Sequence, residues 1–150
     1  MSQTTTAFTE TQERTELRKA VAALGAKYGR DYFEKAAADG RKTTELWAEA
    51  GKLGYLGVAV PEEFGGGGGD IGDLAAVCEE LAAAGSPLLL MVVSPAIVGT
   101  IIAQYGTQEQ KQTWLPGLAD GTSTFAFSIT EPDAGSNSHN ITTTAARDGD

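Results

Sequence analysis

A short stretch near the end of the chain, Thr124 to Asn137, has residue types and spacing that could hold a planar ligand beside an anionic group. Its first half alternates the bulky side chains of Phe125, Phe127 and Ile129 with smaller residues. Because side chains of a strand point alternately to two faces, this pattern predicts a strand with one bulky face and one small, partly polar face. The small face leaves room for a flat group to lie against the strand.

The second half of the stretch predicts a loop that could bind an anion. Pro132 cannot donate a backbone hydrogen bond, so the strand is expected to end there and residues 133–137 to form a turn-rich loop. Gly135 permits a positive φ and a close approach of the backbone. The loop amides and the hydroxyl of Ser136 could therefore hold a group such as a phosphate.

Seven consecutive residues, from Thr130 to Ser136, resemble the flavin-binding signature of the acyl-CoA dehydrogenases. The resemblance implies FAD as the cofactor, with the strand at the isoalloxazine ring and the loop near the pyrophosphate and the bound thioester. Asn137 stands where the family commonly has aspartate, so it is assigned no role. The implied ring contacts are Phe127, Ser128, Ile129 and Thr130, the implied phosphate contacts are Gly135 and Ser136, and Ser136 also faces the substrate.

The activity implied by the resemblance is α,β-dehydrogenation of an acyl-CoA thioester. In this family a glutamate of a C-terminal helical domain removes the α-proton, and the flavin takes the β-hydride. The present sequence does not reach that domain, so no residue is assigned as catalytic, and Glu131 is not promoted to that role. The implied partners are the acyl-CoA substrate and an electron-transfer flavoprotein, and the implied assembly is a homo- or hetero-oligomer, commonly a tetramer.

Two other functions fit the same residues. Acyl-CoA oxidases, nitroalkane oxidases and flavin-dependent monooxygenases share the architecture and differ in how the reduced flavin is reoxidised. A non-catalytic partner subunit that supplies part of a shared acyl-CoA site is the second alternative. Sequence beyond Asp150 would separate them, because a missing glutamate in the C-terminal domain would favour the partner subunit.

The composition argues against several other classes of protein. Twenty acidic and 11 basic residues give a net charge of −9, whereas a nucleic-acid surface needs clustered Lys and Arg. Cys78 is the only cysteine, so no internal disulfide can form and a reducing, cytoplasmic location is expected. The Thr-rich start, Met1 to Phe8, lacks the features of a secretion signal. His139, the only histidine, has no second ligand at a suitable spacing, so no metal site is predicted.

The first half of the chain predicts two helices and a connector. Apolar residues recur at three- and four-residue steps, which predicts an amphipathic helix from about residue 10 to 38, closed by Asp39 and Gly40. A second helix is predicted over 44–51, capped by Thr43 or Thr44, followed by an irregular connector over 53–61. The recurring apolar residues of the first helix are Leu17, Val21, Leu24, Tyr28 and Tyr32.

The glycine run over 65–69 is consistent with either a dinucleotide-binding loop or a flexible connecting loop. Residues 67–72 satisfy the pattern G-x-G-x-x-G of dinucleotide-binding loops. Against that function, Asp70 puts a negative charge where a pyrophosphate would lie, and no second parallel strand follows. We therefore expect a flexible loop and a helix over 70–84, capped by Asp70 with Asp73 at its third position. Its apolar face carries Leu74, Val77, Cys78 and Leu81.

Eighteen residues without a charge, 88–105, are long enough to raise the question of a membrane span. Ser94-Pro95, Gly99 and Gln104 interrupt the run and no cationic flank anchors it, so the pattern favours a buried helix bent or broken at Pro95. The resemblance implies that the inner face of this helix lines the acyl end of the substrate cavity. The implied residues are Leu89, Leu90, Val93 and Ile97, for which a place in the core is equally consistent.

The remainder of the sequence predicts the transition between two domains. Thr107 and Gln110 form a capping-box pattern for a short helix that is expected to end at Pro116. A second strand is predicted over 141–147, before a hairpin turn at Asp148-Gly149. The fold class is therefore mainly α, with an N-terminal helical bundle over 1–119 and the first strands of a β-barrel-like middle domain over 120–150. Because two strands alone are marginal, we expect this to be the N-terminal piece of a longer polypeptide.

Overall fold

Helices form most of the chain up to residue 119 in the computed structural model, which describes residues 10–149. The mainly α fold class is therefore confirmed, whereas the prediction on Met1 to Phe8 lies outside the described residues. Short 3-10 turns occur at Glu62–Phe64 and Ser138–Asn140. The longer elements are α1 (Gln12–Ala38), α2 (Thr44–Lys52), α3 (Ile71–Ala83), a π-helix (Val92–Gly99), α4 (Thr100–Tyr105) and α5 (Gln108–Ala119).

Helix α1 begins at a side-chain cap and is kinked in its second half. The hydroxyl of Thr11 accepts a hydrogen bond from the Arg14 N–H at 3.1 Å, which satisfies one of the free amides of the first turn. Gly29 has φ +69°, a conformation that glycine adopts without the clash of a Cβ. The buried Ser86 hydroxyl donates to the Gly29 carbonyl at 2.7 Å. The sequence predicted an unbroken helix here, and this kink is a correction to it.

Helices α1 and α3 pack against each other through the predicted apolar faces. Val21 and Leu24 of α1 join Leu74, Val77 and Leu81 of α3 in one buried cluster. Cys78 is half-buried and packs against the same cluster, as predicted. Because the carboxylates of α3 face α1, two arginines of α1 close the edge of this contact: Arg14 pairs with Asp70 and Asp73, and Arg18 pairs with Glu79 and Glu80.

The glycine loop, which the sequence predicted to be flexible, is held against the connector by backbone hydrogen bonds. Amides of the loop donate to connector carbonyls: Gly67 N–H to Gly57 O and Gly69 N–H to Val58 O, both at 2.9 Å. A Cβ at Gly66 would overlap the backbone of Val60, so this close approach requires glycine. The loop amides are therefore already used inside the domain, which argues against the dinucleotide-binding alternative.

The cap of α3 is the predicted one. The Asp70 carboxylate accepts from the Asp73 N–H at 3.0 Å, and the Asp73 carboxylate accepts from the Asp70 N–H at 2.9 Å. Arg14 Nε also donates to Asp73 at 2.8 Å. The hydrogen bond from the Asp70 amide, and then that from Arg14, lower the pKa of Asp73 below its ordinary value of 3.8.

The uncharged run over 88–105 forms a helix that Pro95 widens without breaking it. Pro95 lies inside the π-helix, which continues into α4. Proline removes a backbone donor, and a π-helix accommodates this by a local change of hydrogen-bond spacing. The helix is only half-buried, which corrects the prediction: Met91, Ser94 and Gly99 face the interior, whereas Leu90 is 41% exposed. No helix within residues 10–149 is long and apolar enough to cross a membrane.

Helix α5 begins as predicted and ends later than predicted. Thr107 and Gln110 form the reciprocal capping box, at 2.9 and 3.2 Å. Pro116 lies within the helix, which continues to Ala119 because Leu115 and Leu118 are buried in a second apolar cluster. Tertiary packing here outweighs the local cost of a proline.

Neither predicted strand forms a ladder among the described residues. Residues 124–130 and 141–147 carry no regular secondary structure, and one isolated bridge joins Glu131 to Ala134. A strand needs a neighbour for its backbone groups, and the two candidate segments do not pair with each other. No strand is therefore observed over 120–149, and the prediction that this segment opens a β domain stays a prediction.

Gly57 is expected to be intolerant of a side chain. A Cβ there would lie 2.6 Å from the Ala119 Cβ and 2.8 Å from its Cα, so Gly57→Ala forces the connector away from α5. We expect the free energy of unfolding to fall by about 2–3 kcal/mol in urea denaturation. The matched control is Gly135→Ala, where a Cβ meets nothing within 4 Å and the change should stay within about 0.5 kcal/mol. Equal stability of the two variants would contradict this packing.

Asp73 is expected to make stability depend on acid pH. Its lowered pKa means that the carboxylate stabilises the fold at neutral pH and that this contribution is lost as pH falls through the folded-state value, below 3.8. Asp73→Asn should therefore reduce the free energy of unfolding by about 0.5–1 kcal/mol at pH 7. The difference from wild type should shrink below pH 4, measured by urea denaturation at several pH values. Glu63→Gln, at an exposed carboxylate, is the control; a difference that stays constant with pH would refute the role of Asp73.

Candidate cofactor and substrate site

Two hydrogen bonds from the helical domain hold the chain as it leaves α5. The Trp47 indole N–H donates to the Gly121 carbonyl at 2.9 Å, and Gly121 has φ +81°. The Phe125 N–H then donates to the hydroxyl of Ser94 at 3.1 Å. Phe125 also packs against the second apolar cluster. The stretch that leads into the signature is therefore fixed to α2 and to the π-helix.

The predicted flavin-facing residues lie on the surface. Residues 126–130 are all exposed, with Phe127 at 41% and Ile129 at 45%. Of the bulky face, Phe125 packs against a buried cluster, whereas Phe127 and Ile129 do not join one within the described residues. Among those residues, the backbone groups of 126–130 make no hydrogen bond. The structure therefore brings Phe127, Ser128, Ile129 and Thr130 together as one open edge with free donors and acceptors.

The bend after this segment is closed by Glu131. Its N–H donates to the Ala134 carbonyl at 3.0 Å, and the Ala134 N–H donates back at 3.2 Å. Its carboxylate accepts hydrogen bonds from the Thr143 N–H at 2.6 Å and from the N–H and hydroxyl of Thr142 at 2.9 and 3.0 Å. Hydrogen bonding from Thr143 and Thr142 lowers the pKa of Glu131 to about 2. This carboxylate therefore connects the bend to residues 142 and 143.

Gly135 and Ser136, the predicted phosphate contacts, follow the bend and are both exposed. Gly135 does not use a positive φ, and a Cβ built on it would meet nothing within 4 Å. Nothing in the described residues therefore requires glycine at position 135, in contrast to the prediction. Ser136 makes no hydrogen bond within them, so its hydroxyl is open to a ligand.

The four predicted acyl-facing residues divide into two pairs. Leu89 and Leu90 line a cavity of about 510 Å³, and Leu89 is 76% exposed. Val93 and Ile97 are half-buried on the π-helix and do not line this cavity. The structure thus places Leu90, Val93 and Ile97 on one helical stretch and Leu89 in the turn before it, without bringing the four to one wall.

The cavity beside Leu89 and Leu90 also contains residues that the sequence did not point to. Its walls come from the end of α1, from the start of α2 and from Gly121 and Thr124, so it reaches the first residue of the stretch that leads into the signature. Trp47 was predicted only as a helix residue, and its contact with Gly121 has no local signal. The remaining lining residues are Phe33, Ala36, Ala37, Arg41, Lys42, Thr43, Thr44, Pro87 and Leu88.

Comparison with known proteins gives matches over nearly the whole chain. The family model for the acyl-CoA dehydrogenase N-terminal domain matches residues 11–122. Acyl-CoA dehydrogenase FadE12 of Mycobacterium tuberculosis is 65% identical over 146 residues, which are 97% of this chain and 38% of that protein. The chain thus spans little more than a third of the length of this relative.

Solved structures give the same result. An acyl-CoA dehydrogenase from Geobacillus kaustophilus is similar with a TM-score of 0.84 and 36% identity, over 97% of this chain and 38% of that one. An acyl-CoA dehydrogenase from Bacillus anthracis complexed with FAD is similar with a TM-score of 0.75 and 31% identity, over 88% and 23% of the two chains. Taken with the signature segment at Thr130 to Ser136, these matches show that the chain belongs to the acyl-CoA dehydrogenase family.

Proposed function

We propose that this chain is the N-terminal part of an FAD-dependent enzyme that introduces a double bond between the α and β carbons of an acyl-CoA thioester. The observation that carries the proposal is the exposed edge over 126–130, in a chain that belongs to the acyl-CoA dehydrogenase family. This edge leads directly into the seven-residue signature of the family. Homologues of this chain are acyl-CoA dehydrogenases, which act as oxidoreductases on a CH–CH bond.

The donor set of this edge fits an isoalloxazine ring. Such a ring has a polar edge of carbonyl and N–H groups, which free backbone amides and carbonyls can match, and the hydroxyls of Ser128 and Thr130 are exposed beside them. We assign the ring contacts to Phe127, Ser128, Ile129 and Thr130, and the phosphate contacts to Gly135 and Ser136. When bound, FAD would supply the acceptor for a hydride. A solved relative complexed with FAD supports the assignment.

The substrate side is assigned to the π-helix and to the loop after the bend. Leu90, Val93 and Ile97, together with Leu89, offer apolar surface that suits an acyl chain, because burying such surface on both partners is favourable. Ser136 offers an open hydroxyl on the thioester side. The role of these residues is to bind and orient the acyl group and to exclude water from it.

The proton acceptor lies outside this chain. Glu131 is unsuited to that task because its pKa of about 2 leaves it a weak base, and its oxygens already accept hydrogen bonds from two threonines. We expect the base to be a glutamate of the C-terminal domain, and the electrons to pass on to an electron-transfer flavoprotein.

The remaining features of the proposal concern the whole protein. The end of α5 at Ala119 supports a domain boundary at 119/120, with a β-barrel-like middle domain after it. The lone Cys78 supports a reducing, cytoplasmic location. An oligomer, commonly a tetramer in this family, is the expected assembly.

The full-length protein is expected to bind FAD and to be reduced by its substrate. Purified protein should be yellow, and anaerobic addition of a suitable acyl-CoA should bleach the flavin absorbance as the hydride is transferred. A mixture with oxygen alone, compared with one containing an electron-transfer flavoprotein, separates a dehydrogenase from an oxidase. A colourless protein that takes up no added FAD would end the proposal.

Glu131 is expected to be structural and not catalytic. Glu131→Gln removes a charge that accepts three hydrogen bonds and should loosen the bend, so the affinity for FAD should fall. At saturating FAD, however, kcat should change by less than about tenfold, whereas loss of a general base costs about 10²–10⁴-fold. Stopped-flow measurement of flavin reduction checks this, with Glu63→Gln as the control. A drop of more than about 10²-fold would give Glu131 a part in proton transfer.

A further inference from the structure

We propose that Ser94 positions the flavin-facing segment through its hydroxyl, an inference that rests on the proposed function. Ser94 lies on the π-helix and is 0% exposed. Its Oγ accepts a hydrogen bond from the Phe125 N–H at 3.1 Å, across 31 positions of sequence. Phe125 stands two residues before Phe127, where the assigned ring contacts begin.

This bond is the one hydrogen bond that residues 124–130 make among the described residues. The other anchors act at the two ends of the segment: Trp47 holds Gly121 before it, and Glu131 closes the bend after it. Between these ends, the Ser94 hydroxyl and the packed ring of Phe125 hold the chain against the helical domain. The position of the open edge therefore depends on Ser94.

The chemistry of the contact explains why a serine suits this position. Alanine would occupy nearly the same volume but would offer no acceptor, which would leave the partly buried Phe125 N–H unpaired. An unpaired buried donor is unfavourable, so the segment would move to find water or another acceptor. If the backbone moves at Phe125, the residues that come after it, which include the assigned ring contacts, move as well.

The same helix carries two of the assigned acyl contacts. Val93 is the neighbour of Ser94, and Ile97 lies three residues further on in the π-helix. One rigid element therefore holds the acyl-facing side chains and, through Ser94, the flavin-facing segment. Ser94 therefore links the flavin-facing segment to the element that carries Val93 and Ile97.

Ser86 offers a matched control for this inference. It is also 0% exposed, and its hydroxyl makes a single described hydrogen bond, to the Gly29 carbonyl at 2.7 Å. That bond supports the kink in α1 and does not involve residues 124–130. Ser86→Ala and Ser94→Ala therefore delete the same buried group, and only Ser94→Ala should affect the flavin edge.

The experiment uses the full-length protein in two states. In FAD-free protein, hydrogen exchange of the Phe125 amide should accelerate at least about tenfold in Ser94→Ala and remain unchanged in Ser86→Ala. In the FAD titration, the dissociation constant should rise about tenfold in Ser94→Ala and less than about twofold in Ser86→Ala. The visible absorbance maximum of the bound flavin should shift in Ser94→Ala alone.

The outcomes separate this inference from the proposed function. Wild-type protein that binds no FAD overturns both, whereas FAD bound equally by wild type and Ser94→Ala overturns only the role of Ser94. An equal effect of Ser86→Ala on FAD would show a general loss of stability and would also overturn it. If Ser94→Ala does not fold, Ser94→Cys keeps the size of the side chain with a weaker acceptor and should change the exchange rate in the same direction.

Discussion

Close backbone contact of α2 and the connector that follows it with the end of α5 determines where the chain continues toward the signature. A Cβ at Gly51 would overlap the Asp120 carbonyl, and one at Gly57 would lie 2.6 Å from the Ala119 Cβ, so glycine at both positions allows the two backbones to touch. Gly121 has the same role from the other side, because a Cβ there would lie 2.9 Å from the Trp47 indole nitrogen. The chain leaves α5 at this contact. The contact therefore sets the direction in which the chain continues toward the residues assigned to the site.

The two segments assigned to the site both expose apolar surface. Large apolar side chains are exposed on the helical run at Leu89, Leu90, Val92 and Ile101, and on the signature segment at Phe127 and Ile129. Exposed apolar area of this kind marks a place where another surface or a ligand binds. Arg14 and Arg18 pair with the carboxylates of α3, whereas Arg41 and Lys42 line the cavity beside Leu89 and Leu90. In the proposed function, the flavin ring and the acyl chain are the ligands that contact these apolar side chains.

The glycine loop shows that a match to a sequence motif does not by itself establish a binding site. Residues 67–72 match G-x-G-x-x-G, but a phosphate site needs amides that point at a ligand. Here the amides of Gly67, Gly68 and Gly69 donate to carbonyls of residues 57–60, so the loop is part of the packing. The segment over 126–130 that leads into the signature is the reverse case, because its backbone groups make no hydrogen bond among the described residues.

The sequence alone was enough for the features that depend on neighbours along the chain. The capping boxes of α3 and α5, the apolar face of α3 and the mainly α class all follow from residues three or four positions apart, and all are confirmed. The family also follows from seven consecutive residues. The tertiary structure decided the rest: the kink at Gly29, the continuation of the helix through Pro95, the missing strand pairs and the contact of Ser94 with Phe125. These features depend on residues distant in sequence, because a strand needs a partner and a buried polar group needs an acceptor wherever the fold brings one.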